Sequence, residues 1–142
     1  MLSGSYKNNK GAVKGEYVKV QYLDVALEAD CTWSYRETPN DHTLFLYLID
    51  GTLAADKALT KFEGKACAML MTASSSNSSD FDEVKVKAGP EGARFFLIAA
   101  MPLKEPVAWG GPIVMNTQEE LNLAFRELEN KTFIKHDKPQ EL

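Results

Sequence analysis

The sequence predicts an all-β domain, a sandwich or barrel, with one short helix near its C-terminal end. Three observations carry that reading. Short apolar or alternating segments recur between turn signals from Val18 to Ala100, the pattern of a strand-rich fold. The run 93–100 is apolar almost throughout, with aromatics at Phe95 and Phe96, and suits a strand covered on both faces. Helical spacing comes late, at Leu121, Ala124, Phe125 and Leu128, which fall at i, i+3, i+4 and i+7 and line one face.

Residues 1–15 carry Gly4, Gly11 and Gly15 among Lys7, Lys10 and Lys14 without periodicity, and read as a flexible leader. Val18, Val20 and Tyr22 alternate in one phase and Leu23, Val25 and Leu27 in the other. A bulge or bend is therefore expected near Tyr22 and Leu23. Cys31, Trp33 and Tyr35 alternate with Thr32, Ser34 and Arg36 in a half-buried strand. Pro39 centres a turn over 37–41. The run 43–49 is apolar on both faces and stops at Asp50-Gly51, a turn signal. Another short apolar run spans 66–72.

Residues 74–82 read SSSNSSDFD, a composition too poor in apolar side chains to offset the cost of ordering, so a mobile loop is expected. Val84 and Val86 lie between Glu83, Lys85 and Lys87, as a short exposed strand whose lysines guard an edge. Gly89, Pro90 and Gly92 then form a turn. Pro102 ends the following strand because it has no amide hydrogen. Pro106, Gly110, Gly111 and Pro112 make 104–112 an ordered loop. Asn116 or Thr117 caps the helix, and each has a glutamate three positions on, Glu119 or Glu120, so a capping box is available in either frame.

With 142 residues the chain is one domain on size. Its 44% hydrophobic and 25% charged residues are ordinary for a globular protein. The net charge of -4 argues against nucleic acid or an anionic membrane as the partner. No run approaches the roughly 18 apolar residues of a membrane span, and no signal-peptide core is present at the start. Cys31 and Cys67 read as free thiols of a reducing cytoplasm.

The order Pro102-Leu103, Glu105-Pro106, Gly111-Pro112, Val114-Met115-Asn116-Thr117 and Glu119-Glu120, followed by a helix, resembles the C-terminal cupin domain of the pirin family. The likeness extends more loosely back to Ser3-Gly4, through Tyr22 to Val25 and the glycine-ended strand at 44–51. It covers most of residues 3–133. It implies a cupin, a jelly-roll β-barrel, with residues 1–15 as a leader or an edge segment laid across it, a single cupin domain over 16–133 and a polar tail over 134–142. Two departures stand out. Family members usually carry two cupin domains where this chain has room for one, and the glycine usual before the Pro-Leu pair is replaced by Met101.

Metal-binding cupins use histidines and a glutamate from two motifs, a set suited to iron, nickel, copper or manganese. The resemblance would place the first motif near Glu37, Thr38, Pro39, Asn40 and Leu44, and the second around 70–75, none of which is histidine. The chain's two histidines are His42, at the rim of a strand, and His136, in the tail. The expectation is a domain with no metal, no cofactor and no catalytic residue. In pirin-like bicupins the resemblance assigns metal and quercetinase-type activity to the other, N-terminal cupin. No nucleophile or phosphate-binding motif replaces it.

Glu119 and Glu120 are read as capping residues, and Glu105 as a carboxylate that fixes its loop. Trp33, Tyr35, Phe45 and Tyr47 either fill the barrel or line a cavity for a small apolar ligand. Trp109, between glycine and proline turns, either packs down or is offered to a partner. The functional expectation is a non-catalytic interaction or regulatory module. It would pair with a second copy or dock on a separately encoded cupin, through the surface that normally meets the other barrel. The alternative is a small-molecule-binding barrel or a quercetinase-like enzyme using the barrel cavity.

Overall fold

The computed structural model describes residues 1–15, 17–71 and 81–135, the side chains of Phe81 and Asp82 excepted. Of the expected loop at 74–82, residues 74–80 lie outside the described residues, as does His136, while Phe81 and Asp82 begin a strand instead. The chain divides into two compact units, Met1–Pro102 and Leu103–Leu142.

The first unit is built on two long strands. β1 (Ser5–Tyr6) and β2 (Asn9–Lys10) form a small hairpin, followed by β3 (Gln21–Leu27), β4 (Thr32–Pro39), β5 (Thr43–Ala54), β6 (Phe62–Gly64), β7 (Ala68–Met71) and β8 (Phe81–Ala100). β8 pairs with β3, β4 and β5, and β5 also takes β6 and β7, all antiparallel. This strand-dominated arrangement is the jelly-roll architecture.

The inward side chains of both long strands change phase partway along. On β8 they are Val84, Val86 and Ala88, then Ala93, Phe95, Leu97 and Ala99; on β5 they are Leu44, Leu46 and Leu48, then Leu53. A switch from even to odd positions requires an extra residue, and the β5–β8 register shifts at Leu48/Asp50 and Gly51/Leu53. The expected turns at Asp50-Gly51 and at 89–92 are therefore bulges within continuous strands. Gly51 has φ +75, and a Cβ there would stand 2.1 Å from the Gly92 carbonyl oxygen. Only glycine tolerates both the conformation and the approach.

Other expectations also need correction. Val84 and Val86 lie in the core rather than on an exposed strand, their flanking charges pointing outward. No register shift occurs at Tyr22 and Leu23; β3 begins at Gln21, so Val18 and Val20 belong to the approach. Pro39 closes β4 instead of centring a turn. The run 43–49 buries one face, with Tyr47 40% exposed on the other. Near the N-terminus, Ser3 bridges both Val13 and Tyr22.

The second unit holds β9 (Ala108–Gly110), β10 (Ile113–Met115) and α1 (Gln118–Glu129). The expected loop at 104–112 thus contains a strand, and β9 and β10 make a hairpin turning through Gly111 at φ +56. Ile113, Leu121 and Ala124 are buried together, with Ala108 and Met115 against them. Gly110 permits the close approach, since a Cβ there would meet the Phe125 ring at 2.8 Å. Thr117 is the cap: its Oγ1 accepts from the Glu120 amide at 3.2 Å, and the Glu120 carboxylate accepts from the Thr117 amide at 3.0 Å. Neither peptide preceding Pro106 nor that preceding Pro112 is cis.

Candidate binding site

The residue types that filled or lined the expected cavity separate in the structure. Tyr35 is buried in the core, where it stacks on Trp33 with ring centroids 5.7 Å apart; Trp33 in turn meets Phe95 at 5.9 Å. Phe45 and Tyr47 sit on β5, with Tyr47 on the outward side. Leu46, Leu48, Leu53, Leu97, Val86 and Phe95 pack the space between. Trp33 does reach a cleft of about 380 Å³, shared with Met1, Tyr6, Asn9 and Leu23, and its Nε1 donates to the Tyr6 hydroxyl at 3.3 Å.

A larger cleft of about 660 Å³ opens where the N-terminal segment crosses the sheet. Ser3, Gly4 and Ser5 line it together with Gly11, Val13, Lys14 and Gly15, and Gln21, Thr38, Pro39, His42 and Ala99 complete it. Its shape follows from the sequence. Gly4 has φ +87 and lies so close to Gln21 that a Cβ would stand 1.9 Å from Oε1. Gln21 holds the segment from its other end, accepting from the Ser5 amide at 3.0 Å and donating to the Ser5 carbonyl. Ser3 Oγ donates to the Val13 carbonyl at 3.0 Å.

The cleft's charges are lopsided. Lys10, Lys14 and Lys19 face one lining carboxylate, Glu37, which accepts from the Lys7 amide at 3.3 Å. His42 stands at the rim, its Nδ1 2.9 Å from the Asp41 carboxylate. Beneath lie two hydroxyls of β4, Tyr35 Oη and Thr38 Oγ1, buried without a hydrogen-bond partner among the described residues. Burial pushes the Tyr35 phenol up; Thr38 and Gln21 lie near enough to oppose this in part, but outside hydrogen-bonding geometry. Sequence reasoning missed this site. The glycine and lysine spacing of residues 4–19 was its visible signal; the orphaned hydroxyls had none.

The carboxylates elsewhere hold structure. Arg94 grips Asp24 diagonally across the β3–β8 ladder, at 3.0 and 2.7 Å, and holds its carboxyl below the usual value. Glu83 is lowered by Arg36 at 2.9 Å. Asp56 accepts from the amides of Lys61, Thr60 and Ala58 and is lowered chiefly by the first; its turn was not foreseen.

Among the described residues the donor set does not fit a cupin metal. The positions matching the first motif present Glu37, Thr38, Pro39, Asn40 and Leu44, with Leu44 in the apolar core; of those matching the second, 72–75 lie outside the described residues. Among the described residues no three His, Cys, Asp or Glu side chains converge. Cys31 and Cys67 are free thiols.

The family-motif residues gather in the second unit beyond Pro102. Glu105 is exposed, so it is not the buried loop-fixing carboxylate expected; Asn116 does that work, its Nδ2 donating to the Pro106 carbonyl at 3.0 Å. Leu103, Pro106, Gly111, Pro112 and Glu119 are exposed and Met115 half-buried. Trp109 and Val114 are cross-strand partners, 75% and 58% exposed. The Trp109 ring is held by its Nε1, which donates to the Gly111 carbonyl at 2.7 Å.

Comparison with known proteins bears on this geometry. The pirin C-terminal cupin domain matches residues 22–134. Human pirin is 36% identical over 112 residues, covering 77% of this chain and 36% of that protein. A Thermoplasma acidophilum protein provisionally named a quercetin 2,3-dioxygenase is 28% identical, over 97% of this chain and 49% of its own length. The crystal structure of quercetin 2,3-dioxygenase from Acinetobacter baumannii superimposes with a TM-score of 0.72 at 23% identity, covering 92% of this chain and 42% of that one. The chain thus spans less than half the length of these relatives.

Proposed function

The chain belongs to the pirin family, as a C-terminal cupin domain, and on that premise we propose that it acts by contact, as a binding or regulatory module without metal chemistry of its own. The observation that carries this reading is the outer face of the β9–β10 hairpin. Trp109 and Val114 stand side by side there, and Leu103 and Val107 are 63% and 70% exposed. Apolar side chains of this size gain free energy on leaving water. Tryptophan is among the commonest interface anchors, and this one is already held by its bond to Gly111, so little rotamer freedom remains to be lost. The partner we assign to it is another cupin domain, either a second copy of this chain or a separately encoded one.

Sedimentation over a range of concentrations, alone and with a purified N-terminal pirin cupin, tests the proposal. Association is expected, weakened about tenfold or more by Trp109→Ala. A chain that stays monomeric and ignores the second domain would overturn it.

A second reading, quercetin oxygenation, is favoured by the name of the Thermoplasma relative. The described residues supply no converging ligand set for it. Quercetin turnover by this chain in the presence of added iron, nickel, copper or manganese, lost in His42→Ala, would replace the contact reading with an enzymatic one. Metal per chain, measured after purification without chelator or histidine tag, is the companion measurement.

A further inference from the structure

We propose that the cleft between the N-terminal segment and the sheet is a binding site for a small organic anion, a carboxylate or phosphate monoester on a compact apolar body. The proposal stands on residues of the first unit and is independent of the docking reading.

Charge is the first argument. The chain carries a net -4, yet the described cleft lining sets Lys10, Lys14 and Lys19 against Glu37 alone. None of the three lysines is in an ion pair among the described residues. Like charges gathered around a concavity with low-dielectric walls focus a positive potential into it. The three exposed ammonium groups have no counter-charge paired to them among the described residues, which leaves the cleft open to an anion.

The floor supplies the second argument. Thr38 lines the cleft and is 5% exposed, and neither its Oγ1 nor the neighbouring Tyr35 hydroxyl has a hydrogen-bond partner among the described residues. Buried hydroxyls are nearly always hydrogen-bonded. A polar group entering from the cleft would meet Thr38 from the open side, while Val13, Val20, Pro39 and Ala99 offer apolar contact to the rest of the molecule. A volume near 660 Å³ lies within the range of small-molecule sites.

The walls are built rather than incidental. A Cβ on Gly11 would stand 2.6 Å from the Ser3 Cα, and one on Gly15 2.0 Å from the Val18 carbonyl oxygen. These glycines let the segment fold back on itself at the spacing that leaves the cleft open. An inorganic anion would satisfy the lysines but leave the apolar floor wet, which is why an organic body is part of the assignment.

The test is an NMR titration of the isotopically labelled chain with benzoate, phenyl phosphate and uncharged benzyl alcohol, each to about 10 mM. Saturable shifts are expected at the amides of Gly11, Gly15, Gln21 and Thr38 with one or both anions and not with the alcohol. Lys14→Gln combined with Lys19→Gln, both exposed positions, should weaken binding about tenfold, and Thr38→Val about fivefold. No saturable shift at these amides, equal response to benzyl alcohol, or affinity unchanged in either variant would each overturn the assignment.

Discussion

Phe95 and Trp109 are both large aromatics on β-strands, and their surroundings are opposite. Phe95 is fully buried among Leu46, Leu48 and Leu97 in the strand unit, whereas Trp109 keeps three quarters of its surface open on a short hairpin. The same contrast separates Leu53, fully buried, from Leu103 and Val107, mostly exposed. The buried apolar residues of the first unit make its core. Those on the hairpin's outer face add nothing to the packing of their own unit, whose core is Ile113, Leu121 and Ala124 on the other side. Apolar surface that its own domain does not bury is surface available for contact.

The largest effect tests the buried side of that contrast. Phe95→Ala removes a fully buried ring and should cost about 3–5 kcal/mol of stability, read as a lower denaturant midpoint at unchanged slope. A loss below about 1 kcal/mol would mean that the interior is loosely packed, and the cavity reading of Trp33 and Tyr35 would return.

Within the second unit, the helix start is the next lever. Thr117→Ala removes the acceptor for the Glu120 amide and should cost about 1 kcal/mol. Asn116→Ala leaves the cap intact and loosens the Pro106 loop instead. Equal losses of helicity in the two variants would show that the structural distinction between the two capping frames is wrong.

A smaller effect comes from Asp24. Arg94 lowers its carboxyl pKa in the folded chain, so its contribution is complete above the unfolded value of about 3.9 and disappears as pH falls through the lower folded value. The pair is partly exposed, with side chains 29% and 56% accessible, so about 0.2–1 kcal/mol is expected. Asp24→Asn should therefore be less stable than the parent at pH 7, and the gap should close in acid. A gap that persists below the folded value would assign Asp24 a packing role instead.

Much of this was legible in the chain, for reasons particular residues make plain. The strands and the helix followed from alternation and from 3.6-residue spacing, and the cap from Thr117 and Glu120. The two misread turns share one cause. Gly51, Gly89 and Gly92 were read as reversals, because glycine permits a turn and a bulge alike, and only long-range pairing of β5 with β8 decides between them. The cleft was hidden for a similar reason. Its lysines lie within a few residues of one another, but Thr38 and Ala99 reach it through sheet pairing that no local pattern encodes. Glu105 looked like the loop's anchor because an acid beside proline invites that reading, while Asn116, eleven residues on, makes the bond.

The smallest stability effect is the most telling. Trp109→Ala should change the stability of the isolated chain by no more than about 0.5 kcal/mol, since its ring covers little of its own unit. The same substitution should weaken association, as argued above. Both halves are needed. If stability falls by several kcal/mol, the ring is packing its own domain and the exposed face is not spare. If stability holds and association also holds, the contact surface lies elsewhere. A variant silent in folding and weakened in association separates the residues that make the domain from those that present it.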